Sequence, residues 1–267
     1  MLTATAGEAA PQAVCPTHPS REAVRTCVRC GGYVCSACER EAGQCPECMR
    51  QLALEVPDSR ARALRAVVSL LITLGASFLS LLFHVGLLLM GEEGDEALEK
   101  ITAVVTTVGF LSGYGSRVYF LMWFHRVVRQ LQAQGAGVGL TPGGAVWMWL
   151  IPFVNFVKPF TLMKDVAEKA GGARFAASLH LGLWWGVQLL FYAVDTVKRV
   201  LVKVVWKESG APWDAACVLG IVMALVVVLL TLSYVRVVRE LQARMDRRRA
   251  ALEAGNEPVP EDEAVAA

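Results

Sequence analysis

Seven of the eight cysteines in this chain fall between Cys15 and Cys48, and His18 falls among them. They form four pairs with two residues between partners: Cys15/His18, Cys27/Cys30, Cys35/Cys38 and Cys45/Cys48. That gap lets both side chains of a pair reach one tetrahedral ion, and thiolate and imidazole are the donors zinc favours. Eight donors fill two four-coordinate sites and leave no open position for water or substrate. Two structural zincs are therefore expected, and no catalytic one. Gly31 and Gly32 suit the tight knuckle in which backbone amides approach a metal-bound sulfur. A segment this short cannot bury enough apolar surface to fold alone, so metal is expected to hold it. Two pairings stay open. Pairs one and three can share one ion and pairs two and four the other, as in a cross-brace, or neighbouring pairs can share. No basic start or apolar stretch precedes Cys15, so no cleavable signal is expected. The cluster then belongs to a reducing compartment and to metal rather than to disulfides.

A second set of residues lies in apolar surroundings. Arg117 interrupts an apolar run near Gly109, Gly113 and Gly115, and an intramembrane arginine is a functional candidate by default. It could instead snorkel to the nearer helix end. Gly109 and Gly113 match close helix packing. Further along, Pro152, Asn155, Lys158 and Pro159 form a broken segment. Prolines there free backbone carbonyls, and Asn155 can satisfy some of them. Lys158 is expected at headgroup level. Such a segment can line a small site or path, or it can be a structural elbow with Trp147 and Trp149 as interface anchors. The elbow is the preferred reading. His84, His180 and Gln188 read as packing glue rather than ligands.

The elements that must position these residues are membrane helices. Hydrophobic residues make up 55% of the 267 and charged residues 19%, which is not a soluble composition. The net charge of +2 gives no footing for a nucleic-acid partner. Four apolar runs, 66–90, 101–124, 175–194 and 215–235, each approach or exceed the roughly 20 residues a spanning helix needs. The stretch 144–163 is read as non-spanning, re-entrant or interfacial. Arg126-Val-Val-Arg-Gln-Leu-Gln-Ala133 recurs as Arg236-Val-Val-Arg-Glu-Leu-Gln-Ala243, which suggests two copies of a helical hairpin in parallel orientation. Both copies then leave the membrane on one face. Basic residues at 50, 60, 62, 65, 126 and 129, with six arginines from Arg236 to Arg249, make that face cytoplasmic, although Lys198, Arg199, Lys203 and Lys207 fall on the other. The expected organisation is a disordered leader (1–14), a zinc finger (15–48), a linker (49–64), a membrane domain (65–249) and a disordered acidic tail (250–267). The fold class is an all-α membrane domain, a four-helix transmembrane bundle plus the Pro-broken segment, with a small N-terminal two-zinc finger.

Two resemblances follow. The stretch Cys15-Pro-Thr-His18 through Cys27-Val-Arg-Cys30-Gly resembles a B-box-type zinc finger, in the version found at the N-terminus of bacterial membrane proteins, some rhomboid proteases among them. It departs from many B-boxes in ending on Cys45/Cys48 rather than on histidines. The segment Met122-Trp-Phe-His-Arg126, Thr141-Pro-Gly-Gly144 and Trp149-x-x-Pro152-x-x-Asn155-x-x-x-Pro159 resembles a bacterial membrane family, domain of unknown function 4328. With its flanking helices that likeness covers roughly 65–245; it implies a multi-pass domain and brings no activity. The first functional expectation is a non-enzymatic protein of the inner (plasma) membrane, both termini cytoplasmic, whose finger recruits a cytosolic protein. The alternative is a small-solute or ion transporter or channel subunit, for which four helices are thin unless the chain forms a homo-oligomer. An intramembrane protease is disfavoured, because Gly75-Ala-Ser77-Phe78 lacks the second glycine of a rhomboid serine motif.

Overall fold

The computed structural model describes residues 13–39, 43–91, 96–206 and 212–255. The leader before residue 13, residues 40–42 and 92–95, Lys207 with the four residues after it, and the tail beyond 255 lie outside them. The chain divides into two compact units, one reaching Val56 together with Ala133–Gly135, the other holding the rest.

The first unit is built from two short antiparallel ribbons and a helix. β1 (Val14–Cys15) pairs with β2 (His18–Glu22), and β3 (Arg25–Thr26) pairs with β4 (Tyr33–Val34). Helix α1 (Pro46–Glu55) follows, with Cys45 as N-cap and Pro46 at its first position, where a missing N–H costs nothing. The expected linker 49–64 is therefore mostly helical. The buried apolar cluster of this unit is Val34 and five cysteines, with Cys45 packed against it. Among the described residues, Val34 is the one aliphatic side chain in that cluster.

The second unit is helical: α2 (Arg60–Met90), α3 (Glu96–Ala133), α4 (Pro142–Trp147), α5 (Lys158–Ser178), α6 (Leu181–Val200) and α7 (Trp213–Glu253). A π-helical turn, Leu201–Val205, extends α6. Helix α3 runs back along α2. The Arg126 guanidinium donates to the Pro57 carbonyl (3.2 Å), Arg62 to that of Met122 (2.9 Å), and the Thr73 and Ser116 hydroxyls meet at 2.7 Å. Helix α7 is likewise antiparallel to α2, from Ser59 beside Gln242 to His84 beside Gly220. Helix α6 is antiparallel to α7, with Gln188 beside Tyr234 and His180 beside Arg236.

Two of these helices, α2 and α7, are long and apolar enough to cross a membrane. Helices α5 and α6 pass together as a pair bent by 80°, which makes a third candidate if the pair is one broken span. The structure thus carries two to three candidate spans on length and composition, against four expected. Helix α3 falls short because hydroxyls dilute its apolar run. Those of Thr102, Thr107, Ser112 and Ser116 turn back onto carbonyls of their own helix.

Other boundaries move as well. The expected third run, 175–194, is cut at the bend: Phe175–Ser178 end α5, His180 takes a left-handed conformation, and the straight helix starts at Leu181. Helix α5 joins the end of the non-spanning stretch 144–163 to the start of the expected third run, with Leu162, Met163, Val166, Ala167 and Ala170 buried along one face. Helix α7 continues to Glu253 and buries Leu252, so the tail starts later than residue 250.

Candidate metal centres and a membrane-domain cavity

The ribbons and α1 bring the eight ligand candidates together in two groups. Cys15, His18, Cys35 and Cys38 form one; Cys27, Cys30, Cys45 and Cys48 form the other; within each, donor atoms lie within 4.8 Å of one another. This is the cross-braced pairing. Each ribbon turn supplies a pair. Cys15 and His18 face each other across β1–β2, while Cys27 and Cys30 occupy the β3–β4 turn. Gly31, at φ +71°, lets that turn close, and its amide donates to the Cys27 carbonyl (2.9 Å). Cys45 and Cys48 sit on the first turn of α1, whose dipole favours thiolate there.

The spacing fits zinc. A tetrahedral ion with Zn–S of roughly 2.3 Å separates its sulfurs by about 3.8 Å and a sulfur from an imidazole nitrogen by about 3.5 Å. Cys15 and Cys38 Sγ are 3.9 Å apart, and Cys30 and Cys45 Sγ 3.8 Å. His18 Nδ1 lies 3.1 Å from Cys38 Sγ and 3.6 Å from Cys35 Sγ. All eight cysteines are free thiols. Backbone amides prepare one thiol of each group for a cation. The Cys35 amide, with those of His18 and Thr17, draws Cys15 down to about 6; the Cys30 and Cys45 amides do the same for Cys27. Burial pushes Cys38 up to about 11 and Cys48 to about 12, so these two become thiolates only beside a cation. Both groups could hold a metal ion, and their donor set is compatible with zinc.

In the second unit the Pro-broken segment is a docked elbow. Thr141 caps α4 by accepting from the Gly144 amide (3.0 Å), with Pro142 in the first turn. Trp149 packs edge-on against Phe120 and beside Trp184, while Trp147 is exposed, so only one of the two tryptophans enters the core. Pro152 is exposed on the turn and Phe153 takes φ +66°. Asn155 does not satisfy a freed carbonyl as expected. Its Nδ2 donates to Tyr192 Oη (2.9 Å), and it is Trp185 Nε1 that donates to the Phe156 carbonyl (3.1 Å). Lys158 opens α5 exposed, with Pro159 buried behind it.

The family profile described as Domain of unknown function (DUF4328) matches residues 93–243, more than half of the chain. The chain belongs to this family. The match begins after α2, so the DUF4328 region takes in α3 to most of α7 but neither the first long apolar helix nor the metal-binding unit. No curated protein and no solved structure matches the chain.

Inside the DUF4328 region both copies of the repeated octapeptide bury the same side chains. Val127, Val128 and Leu131 in one, and Val237, Val238 and Leu241 in the other, are at most 1% exposed. Two arginines counted toward orientation have another task. Arg244 and Arg248 are buried and donate to the Ala170 carbonyl (3.2 and 3.3 Å), next to the break in α5 at Gly172. Sequence reasoning missed this cap; the signal was Gly171-Gly172 inside an otherwise helical stretch.

The glycines of α3 do not support close packing. A side chain at Gly109, Gly113 or Gly115 would enter open space, whereas one at Gly220 in α7 would strike the His84 ring. The close approach is thus between α2 and α7. Gly109 and Gly113 instead border a cavity of about 360 Å³ that Arg117 and Gln188 also line. Arg117 does not reach for the nearer helix end. Its guanidinium lies over the Phe191 ring, 5.3 Å from the centroid.

Proposed function

We propose that this is a non-enzymatic, multi-pass protein of the inner membrane whose N-terminal unit is a B-box-like, two-zinc module held in the cytoplasm to bind a protein partner. The observation that carries the reading is the closure of both ligand groups. Eight protein donors complete two tetrahedra, which leaves the module's exposed surface as its means of action. That surface offers Val24, Val28 and Tyr33, each at least half exposed. The experiment is a pull-down with the full-length protein in three forms: native, Cys27→Ser with Cys30→Ser, and Val28→Asp. Loss of the same partner in both variants, with zinc content reduced only in the first, supports the reading. Partners unchanged in both remove it.

The proposed topology has four crossings, by α2, α3, α6 and α7, with α4 and α5 at the cytoplasmic interface. Its support is the course of the helices. Helix α3 returns antiparallel beside the first half of α2, and α6 beside α7, so each of the two most apolar helices has an antiparallel partner. Both termini then lie on the cytoplasmic side with the repeated basic segments.

The cavity favours a second reading, a transporter or channel subunit, in which copies of the chain would assemble. Flux in liposomes separates this from the first reading: Arg117→Ala should lower it, and flux equal to that of empty liposomes removes the idea. An intramembrane protease gains no support, since the Ser77 hydroxyl donates to the Thr73 carbonyl of its own helix (2.8 Å).

A further inference from the structure

The 360 Å³ cavity lies among α2, α3, α6 and α7 and falls within the size range of small-ligand sites. Its wall is largely apolar, with Phe110, Phe120, Met223 and Leu230 among the lining residues. Its polar groups are mostly committed. The Thr73 and Thr231 hydroxyls donate to carbonyls one turn back in their own helices, and Ser116 bonds Thr73 and nearby carbonyls. Asp195 is paired with Arg199 at 2.6 Å.

Three nitrogen-bearing side chains matter to a ligand here. Arg117 and Lys198 have no carboxylate partner among the described residues. Gln188 is 2% exposed; its Oε1 accepts from Tyr234 Oη (2.8 Å), and its Nε2 has no partner. Turning the amide over would only move the deficit to the other end. A buried unpaired amide is costly alone, and an acceptor with negative charge would satisfy it while pairing with the cationic groups beside it. Gln188 and Phe191, over whose ring Arg117 lies, are one turn apart on α6, with Lys198 about two turns further on, and apolar side chains make up most of the remaining wall. A ligand matching both features has an acidic head and an apolar body.

We propose that this cavity binds a small amphipathic anion, a carboxylate or phosphate head on an aliphatic or aromatic body. Arg117 pairs with the head, Gln188 Nε2 donates to it, Lys198 adds a second positive charge to the cavity, and Gly109 and Gly113 leave the room for the body. The site is independent of the metal-binding unit, and it holds whether or not the ligand crosses the membrane. Such a ligand can come from water or from the bilayer itself.

The test uses the full-length protein. In neutral detergent, thermal unfolding is followed against octanoate and against octanol, its uncharged counterpart. In nanodiscs of phosphatidylcholine with phosphatidylglycerol, native mass spectrometry reads which lipid stays bound. Octanoate should raise the midpoint saturably and octanol should not. Arg117→Gln with Lys198→Gln should weaken the response by about tenfold or more, the scale of a lost charged hydrogen bond. Gly113→Leu should abolish it without lowering the unliganded midpoint, because its side chain fills open space. Retention of phosphatidylglycerol by the native protein but not by Gly113→Leu assigns the bilayer as a source; a response to octanoate alone assigns a water-soluble acid. Equal responses to octanoate and octanol, binding that survives both variants, or no response in either arm overturns the proposal.

Discussion

Gln242 is the side chain on which three helices converge. Its Oε1 accepts from Ser59 Oγ and from Trp123 Nε1, both at 2.9 Å, and its Nε2 donates to Asp246, which also receives Arg60. Ser59 and Trp123 are fully buried, so neither donor can turn to water when the acceptor is lost. Gln242→Leu should destabilise the helical unit by about 2–4 kcal/mol, two orphaned donors at ~1–3 kcal/mol each with partial relaxation. Trp123→Phe removes one donor along with its need and should cost less. Thermal unfolding in detergent ranks the two, and equal losses would contradict this account. The network was invisible in the sequence. Gln242 is the counterpart of Gln132 in the repeated octapeptide, yet Gln132 Nε2 donates to the Leu140 carbonyl instead (2.7 Å). The repeat told which side chains are buried, and only the neighbours told what the polar one does.

At the level of helices, glycines decide where pairs approach. A methyl at Gly220 meets the His84 ring, so Gly220→Ala should force α2 and α7 apart at a cost of about 1–3 kcal/mol. A methyl at Gly109 or Gly113 meets nothing, so the same change there should stabilise α3 by up to about 1 kcal/mol through helix propensity alone. Unfolding midpoints of the three alanine variants should therefore move in opposite directions; a loss at Gly113 matching that at Gly220 would restore the packing role the spacing had suggested. The contrast marks what was legible. The metal ligands and their pair spacing could be read directly, because covalent spacing alone brings partners of a pair to one ion. The long apolar helices were legible because length against bilayer thickness is a local property. The cross-brace, the bend at His180, the burial of Trp149 and the Arg244–Ala170 cap depend on which elements meet, and no local pattern records that. Helix α5 is a different case. Its buried positions 162, 163, 166, 167 and 170 follow helical spacing, with the charges between them on the other face.

For the whole molecule, the two units rest on different forces, and that separates their responses. The metal-binding unit buries cysteines and Val34, so a chelator should unfold it while the helical unit keeps its circular dichroism; structural zinc supplies on the order of 10–16 kcal/mol in small fingers. Joint unfolding of both units on chelation would show that they stand or fall together. Topology is the second test at this scale, and it turns on parity. Counting α2, α7 and the bent α5–α6 pair as spans gives three crossings and termini on opposite sides. Counting α2, α3, α6 and α7 gives four and termini on the same side. Helix α3 lies along the first half of α2 through the Pro57–Arg126, Arg62–Met122 and Thr73–Ser116 contacts, the course expected of a second crossing beside the first. Its hydroxyls are satisfied within the helix, which removes most of their cost in lipid. A cysteine introduced at Asp214, in the first turn of α7, should react with a membrane-impermeant maleimide in intact cells, while one at Arg239 should react only after permeabilisation. Reporter fusions at both chain ends should give the cytoplasmic signal. A periplasmic signal from the N-terminal fusion alone would select three crossings and detach α3 from the membrane core, which its course beside α2 argues against.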